Sequence, residues 1–311
     1  MKILITGGAG TLGSNLVEKF IPAGHEVLVF DNFATGRREV LPEVEGLTII
    51  EGDIADYDLV NAQFRKFKPE IVIHSAAAYM DPNDWVEDTR TNVLGSVNIS
   101  NAAINHNVSK VINFQTALCY GRPKQVPIKE NSGTAPFTSY GISKTAGELY
   151  MLNSGLNVIS LRLANICGPR LAIGPIPTFY KRLKNGQSCF CSDSVRDFLD
   201  MSDFLNLMEE VLRSEIPSGV YNISTGIGSS IKEVFDEVVS YLGMPNQEVP
   251  IVPVGADDVQ AMVLDPTLAN ETFGWTAKVD FKETIKRQLN WYDMYGVSAI
   301  YSHLATPNSL G

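Results

Sequence analysis

Short apolar runs return along the first half of the chain at residues 2–6, 26–31, 47–51, 71–75, 110–116 and 157–163. Each is rich in Val, Ile, Leu and Phe, the pattern of a strand buried on both faces. Between them, residues 11–23, 57–67, 85–106 and 139–153 carry the apolar spacing of helices. Strands alternating with helices predict right-handed crossovers and a parallel sheet covered on both sides. The expected fold class is α/β, with a doubly wound parallel sheet.

After about Asn165 the rhythm changes, because Pro169, Pro175, Pro177 and Pro217 break the pattern. Residues 202–213 and 232–242 still read as amphipathic helices, and 221–224 as a strand. The expected organisation is a first domain over residues 1–165 and a smaller α/β region over 166–311, some of whose segments return to the first. The tail after Ser302 carries little pattern and is expected to fray.

Composition then excludes several function classes. The 311 residues are 44% hydrophobic and 19% charged, so the chain can bury a sizeable core. With 25 basic against 35 acidic residues and no Lys/Arg cluster, nucleic acid is not an expected partner. The first apolar run meets Gly7 too soon for a signal peptide, and no run approaches the roughly 18 to 20 apolar residues of a membrane span. No membrane partner is expected, and the expected location is the cytoplasm. Cys119, Cys167, Cys189 and Cys191 form no Cys-x-x-Cys pair, and His25, His74, His106 and His303 lack ligand spacing. Reduced thiols and no metal site are expected.

The chemistry begins directly after the first run, in Gly7-Gly8-Ala9-Gly10-Thr11-Leu12-Gly13. Gly7 permits a tight turn, Gly10 lets the backbone approach a pyrophosphate, and Gly13 lets helix pack on strand, with the anion on the helix N-terminus. An accidental glycine-rich turn is the bland alternative. Asp31 ends the second run about 20 residues further on, where a carboxylate can accept bonds from adenosine ribose hydroxyls. That placement favours NAD as cofactor, while Arg37 and Arg38 keep NADP open. Tyr140 and Lys144 stand four apart at the start of a helix, so both face the same way. A neighbouring ammonium and a cationic nicotinamide would favour the tyrosine phenolate as a base. Taken alone, such a pair is also common on solvated helices.

These residues resemble the extended short-chain dehydrogenase/reductases, in particular the nucleotide-sugar epimerase and dehydratase branch (UDP-glucose 4-epimerase-like). The resemblance implies a Rossmann domain with a smaller substrate-binding region. It matches Gly52-Asp53-Ile54 to an adenine-contacting pair, and His74-Ser75-Ala76-Ala77-Ala78 to a stretch lining the cofactor. Thr116-Ala117-Leu118-Cys119-Tyr120-Gly121 matches the strand end whose hydroxyl completes a triad, here Thr116 with Tyr140 and Lys144. Asn92 resembles the helix asparagine that supports the site, and Asn32, beside Asp31, joins the expected cofactor contacts. Asn165, in Arg162-Leu163-Ala164-Asn165-Ile166-Cys167-Gly168-Pro169, and Arg196, in Arg196-Asp197-Phe198, match residues that contact a nucleotide-sugar diphosphate. The plain alternatives are a strand threonine, a surface asparagine, and an arginine paired with Asp193 or Asp197.

Two departures qualify the match. The family often has a second diphosphate arginine three residues before Asp258-Val259, where this chain has Gly255. Dehydratases show an acid pair after the strand-end threonine, where this chain has Ala117 and Leu118, which cannot carry protons. The resemblance thus implies a UDP-sugar 4-epimerase working through a transient 4-keto sugar, in bacterial surface polysaccharide synthesis, as a homodimer through the 85–106 and 139–153 helices. A 4,6-dehydratase, 4-ketoreductase or decarboxylase on the same scaffold is the alternative enzyme, and a catalytically silent NAD(P)-binding sensor the alternative class.

Overall fold

The computed structural model describes residues 1–213 and 215–297, so the tail beyond Ser302 lies outside the described residues. In chain order the elements are β1 (Lys2–Thr6), α1 (Thr11–Phe20), β2 (Glu26–Asp31), β3 (Leu47–Glu51), α2 (Tyr57–Phe67) and β4 (Ile71–His74). Next come α3 (Trp85–Asp88), a π-helical segment (Thr89–Gly95), α4 (Ser96–Asn105), β5 (Lys110–Thr116), α5 (Ser139–Leu152) and β6 (Val158–Leu163). The remainder holds β7 (Asn165–Cys167), α6 (Pro175–Lys184), β8 (Cys191–Ser192), β9 (Val195–Arg196), β10 (Phe198–Asp200), α7 (Met201–Arg213) and β11 (Gly219–Ile223). It ends with β12 (Ser229–Ser230), α8 (Ile231–Tyr241), β13 (Ile251–Val252), β14 (Ala261–Met262), α9 (Thr267–Phe273) and α10 (Phe281–Tyr295).

Seven strands form one sheet in the order β11-β6-β5-β4-β1-β2-β3. The β1·β2, β2·β3, β1·β4 and β4·β5 pairs are parallel. This is the doubly wound Rossmann arrangement expected from the pattern, and its order reverses between β1 and β4. A reversal there opens a crevice at the strand ends, beside the glycine loop.

Four readings of the sequence need correction. The first helix stops at Phe20 rather than residue 23, because Pro22 has no N–H to extend the ladder and Gly24 turns the chain at φ +83°. The run over 85–106 is not one helix, since Thr89–Gly95 is π-helical. A one-residue widening of the turn leaves the apolar spacing almost intact, so periodicity does not reveal it. Pro175 does not break structure but opens α6 at a first-turn position, where a missing N–H costs nothing. Finally, apolar pattern gives no expectation of α10, because its buried face mixes Ile285, Leu289 and Tyr292 with Thr284 and Gln288.

The chain divides into two compact units: Met1–Cys119 with Pro136–Arg162 and Glu215–Tyr221, and Tyr120–Ala135 with Leu163–Ser214 and Asn222–Gly311. In the first, Leu4, Leu28, Phe30, Val72 and Val111 meet Val60, Phe64 and Ile99 in one apolar cluster. In the second, α6, α8 and α10 enclose Phe179, Phe235, Val238, Leu289 and Tyr292, with the Phe179 and Phe235 rings edge to face at 5.4 Å. Among the described residues, no helix is long and apolar enough to cross a membrane, and no group of three or more His, Cys, Asp or Glu side chains could hold a metal ion.

Candidate active site

Backbone geometry dictates the glycine loop. Gly7 has φ +66°, and a Cβ there would lie 2.7 Å from the Ala76 backbone. A Cβ on Gly13 would lie 2.4 Å from the Gly7 carbonyl oxygen, so no side chain fits. Gly10 caps α1 without any side-chain bond, and a Cβ there would meet only the Gly7 oxygen, at 3.3 Å. By contrast, the Asp56 carboxylate caps α2. At the start of α1 the N-cap position thus offers no side chain of its own, which suits the approach of a pyrophosphate.

Asp31 fixes this loop from β2. Its Oδ2 accepts from the Ala9 N–H and its Oδ1 from the Phe33 N–H, both at 2.8 Å. Burial raises the Asp31 pKa, and these two donors oppose the shift. Each oxygen keeps acceptor capacity for a ribose hydroxyl. Asn32 is exposed and accepts from the Ala34 N–H at 3.1 Å, and Arg37 and Arg38 are exposed nearby in sequence. The residues present thus fit a dinucleotide.

On the other side, Asp53 accepts from the Ala55 N–H at 2.8 Å and pairs with Arg90 of the π segment at 2.5 Å. Ile54 is buried, and its carbonyl accepts from Asn98 Nδ2 at 2.9 Å. Ala76, Ala77 and Ala78 follow β4, each partly exposed. A buried chain of bonds runs beneath them. The Ser75 and Ala76 N–H groups reach Thr6 Oγ1 at 3.2 Å, Thr6 meets His74 Nδ1 at 2.9 Å, and His74 Nε2 meets Ser96 Oγ at 3.1 Å. Ser96 then donates to the Asn92 carbonyl at 2.6 Å. With both neighbouring hydroxyls so used, the network assigns the Nε2–H tautomer. Burial, assisted by the Lys144 charge, pushes the His74 pKa down to about 3, so the ring is neutral.

Asn92 belongs to the π segment and is fully satisfied. Its Oδ1 accepts from the Ala78 N–H, and its Nδ2 donates to the Ala78 carbonyl and to Ser143 Oγ, at 2.9, 2.9 and 3.0 Å. Ser143 in turn donates to the Tyr140 carbonyl at 3.1 Å.

Helix α5 starts where Thr138 Oγ1 accepts from the Gly141 N–H at 3.1 Å. It carries Tyr140 and Lys144 one turn apart. Lys144 is 5% exposed; burial lowers its pKa to about 8, against the pull of Glu148. Tyr140 is part-buried, its ring 5.9 Å from that of Tyr79. Burial above all, beside Tyr79 and the Asp88 carboxylate, pushes its phenol up, so in the chain alone it holds its proton. Thr116 closes β5, and its Oγ1 accepts from the Leu118 N–H at 3.2 Å.

Sequence reasoning missed the seat of α5. Glu148, one turn beyond Lys144, accepts from Ser160 Oγ at 2.6 Å and from Arg162 Nε and Nη2 at 3.2 and 2.8 Å. Gln115 bonds the Thr116 N–H and the Lys144 carbonyl. The four-residue step from Lys144 to Glu148 was a readable signal; the partners on other elements were not.

Asn165 and Arg196 lie in the second unit. Asn165 is exposed, and both its backbone N–H and its Nδ2 donate to the Asp197 carbonyl at 3.0 Å. Arg196 is bound through Nη2 to Asp258 and through Nη1 to the Val195 carbonyl at 2.8 Å. Burial lowers the Arg196 pKa, and Asp258 opposes that. The partner is neither Asp193 nor Asp197; Asp197 accepts from Thr225 Oγ1 and the Thr225 and Gly226 N–H groups at 2.7, 3.0 and 2.8 Å. Gly255, exposed, accepts from the Asp258 N–H at 3.2 Å.

Comparison with known proteins identifies the lineage. The model of the NAD-dependent epimerase/dehydratase family matches residues 3–224. The UDP-glucose 4-epimerase of Mycolicibacterium smegmatis is 30% identical over 314 residues, covering 94% of this chain and 98% of the relative. The crystal structure of the Bordetella bronchiseptica enzyme WbmG with NAD is 63% identical with a TM-score of 0.93, covering 98% of each chain. A second WbmG structure, with NAD and UDP, is 64% identical with a TM-score of 0.92, covering 97% of each. The chain is an enzyme and belongs to the NAD-dependent epimerase/dehydratase family.

Proposed function

We propose that this enzyme interconverts UDP-sugars epimeric at C4, with NAD as cofactor and a transient 4-keto sugar as intermediate. One observation carries the reading: Tyr140 and Lys144 stand one turn apart on α5, while β5 ends in Thr116 followed by the proton-inert Ala117 and Leu118. The likeness to WbmG, crystallised with NAD and UDP, supports the choice of cofactor and nucleotide.

When bound, NAD supplies the hydride acceptor and donor. The Gly7–Gly13 loop holds its pyrophosphate, Asp31 with Asn32 its adenosine ribose, and Asp53 with Ile54 its adenine. Ala76, Ala77 and Ala78 line the nicotinamide side, and Asn92, buried behind them, contributes by holding Ala78 rather than by touching the cofactor. Tyr140 takes the C4 hydroxyl proton while Thr116 holds the oxygen that loses it. Because burial pushes the phenol up, proton acceptance depends on positive charge nearby, which Lys144 provides in its protonated form. Asn165 and Arg196 hold the diphosphate, about which the ketone turns before Tyr140 returns the proton. Arg196 keeps Asp258 as its countercharge throughout.

The same reading makes the protein a homodimer in the cytoplasm, supplying sugars for bacterial surface polysaccharide. Support for the dimer lies in apolar side chains left exposed on α3, the π segment and α5, among them Trp85, Val86, Leu94, Ile142, Leu149 and Tyr150.

Incubation of UDP-sugars in heavy water, followed by mass spectrometry, tests the chemistry. An epimer of unchanged mass with no carbon-bound deuterium is the expected product. Loss of water with deuterium entering the sugar would replace epimerase with dehydratase. Absence of turnover with NAD bound would favour the silent sensor.

A further inference from the structure

Helix α5 rests on a row of polar side chains, where a doubly wound sheet ordinarily offers its helices aliphatic ones. Asn113 and Gln115, two apart on β5, share one face of the strand. Asn113 Nδ2 donates to Ser160 Oγ at 3.0 Å, and Ser160 leads on to Glu148. Gln115 acts one turn nearer the reactive groups. It is 2% exposed; its Oε1 accepts from the Thr116 N–H at 2.7 Å, and its Nε2 donates to the Lys144 carbonyl at 3.0 Å. The amide has a single workable orientation, because reversing it would set NH₂ against N–H and oxygen against oxygen.

We infer that Gln115 is a positioning residue for the reaction, its side chain joining the backbone of Thr116 to that of Lys144 and so fixing the triad hydroxyl relative to the phenol and ammonium. The inference rests on the roles proposed above for Thr116, Tyr140 and Lys144. One amide touches the backbone on both sides of the reacting group. A slide of α5 along the sheet, or a shift of the strand end, breaks a bond at one end or the other. Asn92, on the π segment, holds the same helix through Ser143, so its first two turns are restrained from two elements. Catalytic geometry is sensitive at this scale, since displacement by about 1 Å costs on the order of 100-fold in rate.

Gln115→Met keeps the length and volume and removes both bonds. The readouts are kcat and KM for the UDP-sugar that the unmodified enzyme turns over fastest, the Kd of NAD by fluorescence titration, and the thermal midpoint. The expected result is a fall in kcat of about 10-fold to 100-fold with KM and the NAD Kd within twofold of wild type. An unchanged kcat with only a lower midpoint would make Gln115 a core residue and overturn the inference. So would a joint collapse of kcat, KM and Kd. If Gln115→Met does not fold, Gln115→Glu, which retains an acceptor for the Thr116 N–H, is read by the same criteria. Tyr140→Phe runs in parallel: an inactive Tyr140→Phe beside a fully active Gln115→Met refutes the positioning role alone. A fully active Tyr140→Phe refutes the underlying roles, and the inference with them.

Discussion

Helices α5 and α8 are built on opposite plans. Helix α8 buries Ile231, Val234, Phe235, Val238 and Val239, the continuous apolar stripe of an ordinary amphipathic helix. Helix α5 buries Gly141, Ser143, Lys144, Thr145, Gly147, Glu148 and Met151, of which only Met151 is a large apolar residue. Its apolar residues point outward instead, with Ile142, Leu149 and Tyr150 each more than half exposed at 52, 52 and 58%. Apolar contact is non-directional and tolerates volume-conserving exchange, so α8 is held by close packing rather than by bonds between named partner atoms. Hydrogen bonds and the Glu148–Arg162 pair define a register instead, at a desolvation cost that leaves little net stability. The candidate chemistry sits on the helix fixed by direction rather than by burial.

The most severe way to break this contrast is to change one atom on α5. Tyr140→Phe should leave stability and NAD binding nearly intact and lower kcat by about 100-fold to 10,000-fold, as measured by steady-state turnover. On α8 the reverse is expected. Phe235→Ala removes a fully buried ring from the second core and should cost roughly 3–5 kcal/mol in urea unfolding, while kcat per folded molecule stays at the wild-type value. Near-wild-type turnover in Tyr140→Phe would contradict its proposed role as base.

Next in size is the ion pair under α5. Glu148→Leu leaves the Arg162 guanidinium buried without its carboxylate and should destabilise the protein by about 3–5 kcal/mol. Glu148→Leu combined with Arg162→Met removes both charges, and apolar replacements of that kind are often neutral or better. The double variant should therefore regain most of the lost stability in urea unfolding without regaining kcat. Recovery of both together would mean that the pair sets no register for the reactive groups.

This contrast also explains what was legible in the sequence. The strands β1, β2 and β3 and the helix α2 have the bounds that apolar pattern alone predicts, because local hydrophobicity decides them. The glycine loop is legible for a related reason, since Gly7 turns at positive φ and Gly13 packs on Gly7 and Gly8 of the same loop, although the backbone that Gly7 must clear, at Ala76, comes from far along the chain. The polar seat of α5 is assembled from β5, β6 and the π segment, so Gln115, Ser160 and Arg162 look like unremarkable strand residues until the fold brings them together. Arg196 is similar: its motif is local, but its carboxylate partner Asp258 lies 62 residues away.

A further effect separates the two plans in acid. His74, buried in the bond chain that ends at Asn92, has a pKa near 3 in the folded protein against an ordinary value of 6.5. The unfolded chain therefore binds a proton that the folded one refuses. The stability this confers is complete above about pH 6.5 and declines as pH falls toward 3, by roughly 1.4 kcal/mol per pH unit. Urea unfolding at stepped pH should show this slope in the wild type and a shallower one in His74→Gln. Hydrogen exchange should find α5 amides losing protection at higher pH than α8 amides. Identical slopes in the two proteins would remove His74 as the cause.

The smallest expected effect is the sharpest comparison, because it makes the same change on both helices. Thr138 caps α5 through its hydroxyl, and Ser230 caps α8 in a reciprocal box with Glu233. Replacing either cap with alanine leaves first-turn N–H groups without an acceptor and should cost about 1 kcal/mol of stability. On α8 the frayed turn carries no reactive group, so Ser230→Ala should shift the unfolding midpoint and leave kcat alone. On α5 the first turn carries Tyr140, two residues from the cap, and fraying displaces the phenol while Gln115 still holds the turn at Lys144. Thr138→Ala should therefore lower kcat several-fold at an equal loss of stability. Equal kcat in the two cap variants would show that the bonds from Asn92 and Gln115 hold Tyr140 without help from the helix end.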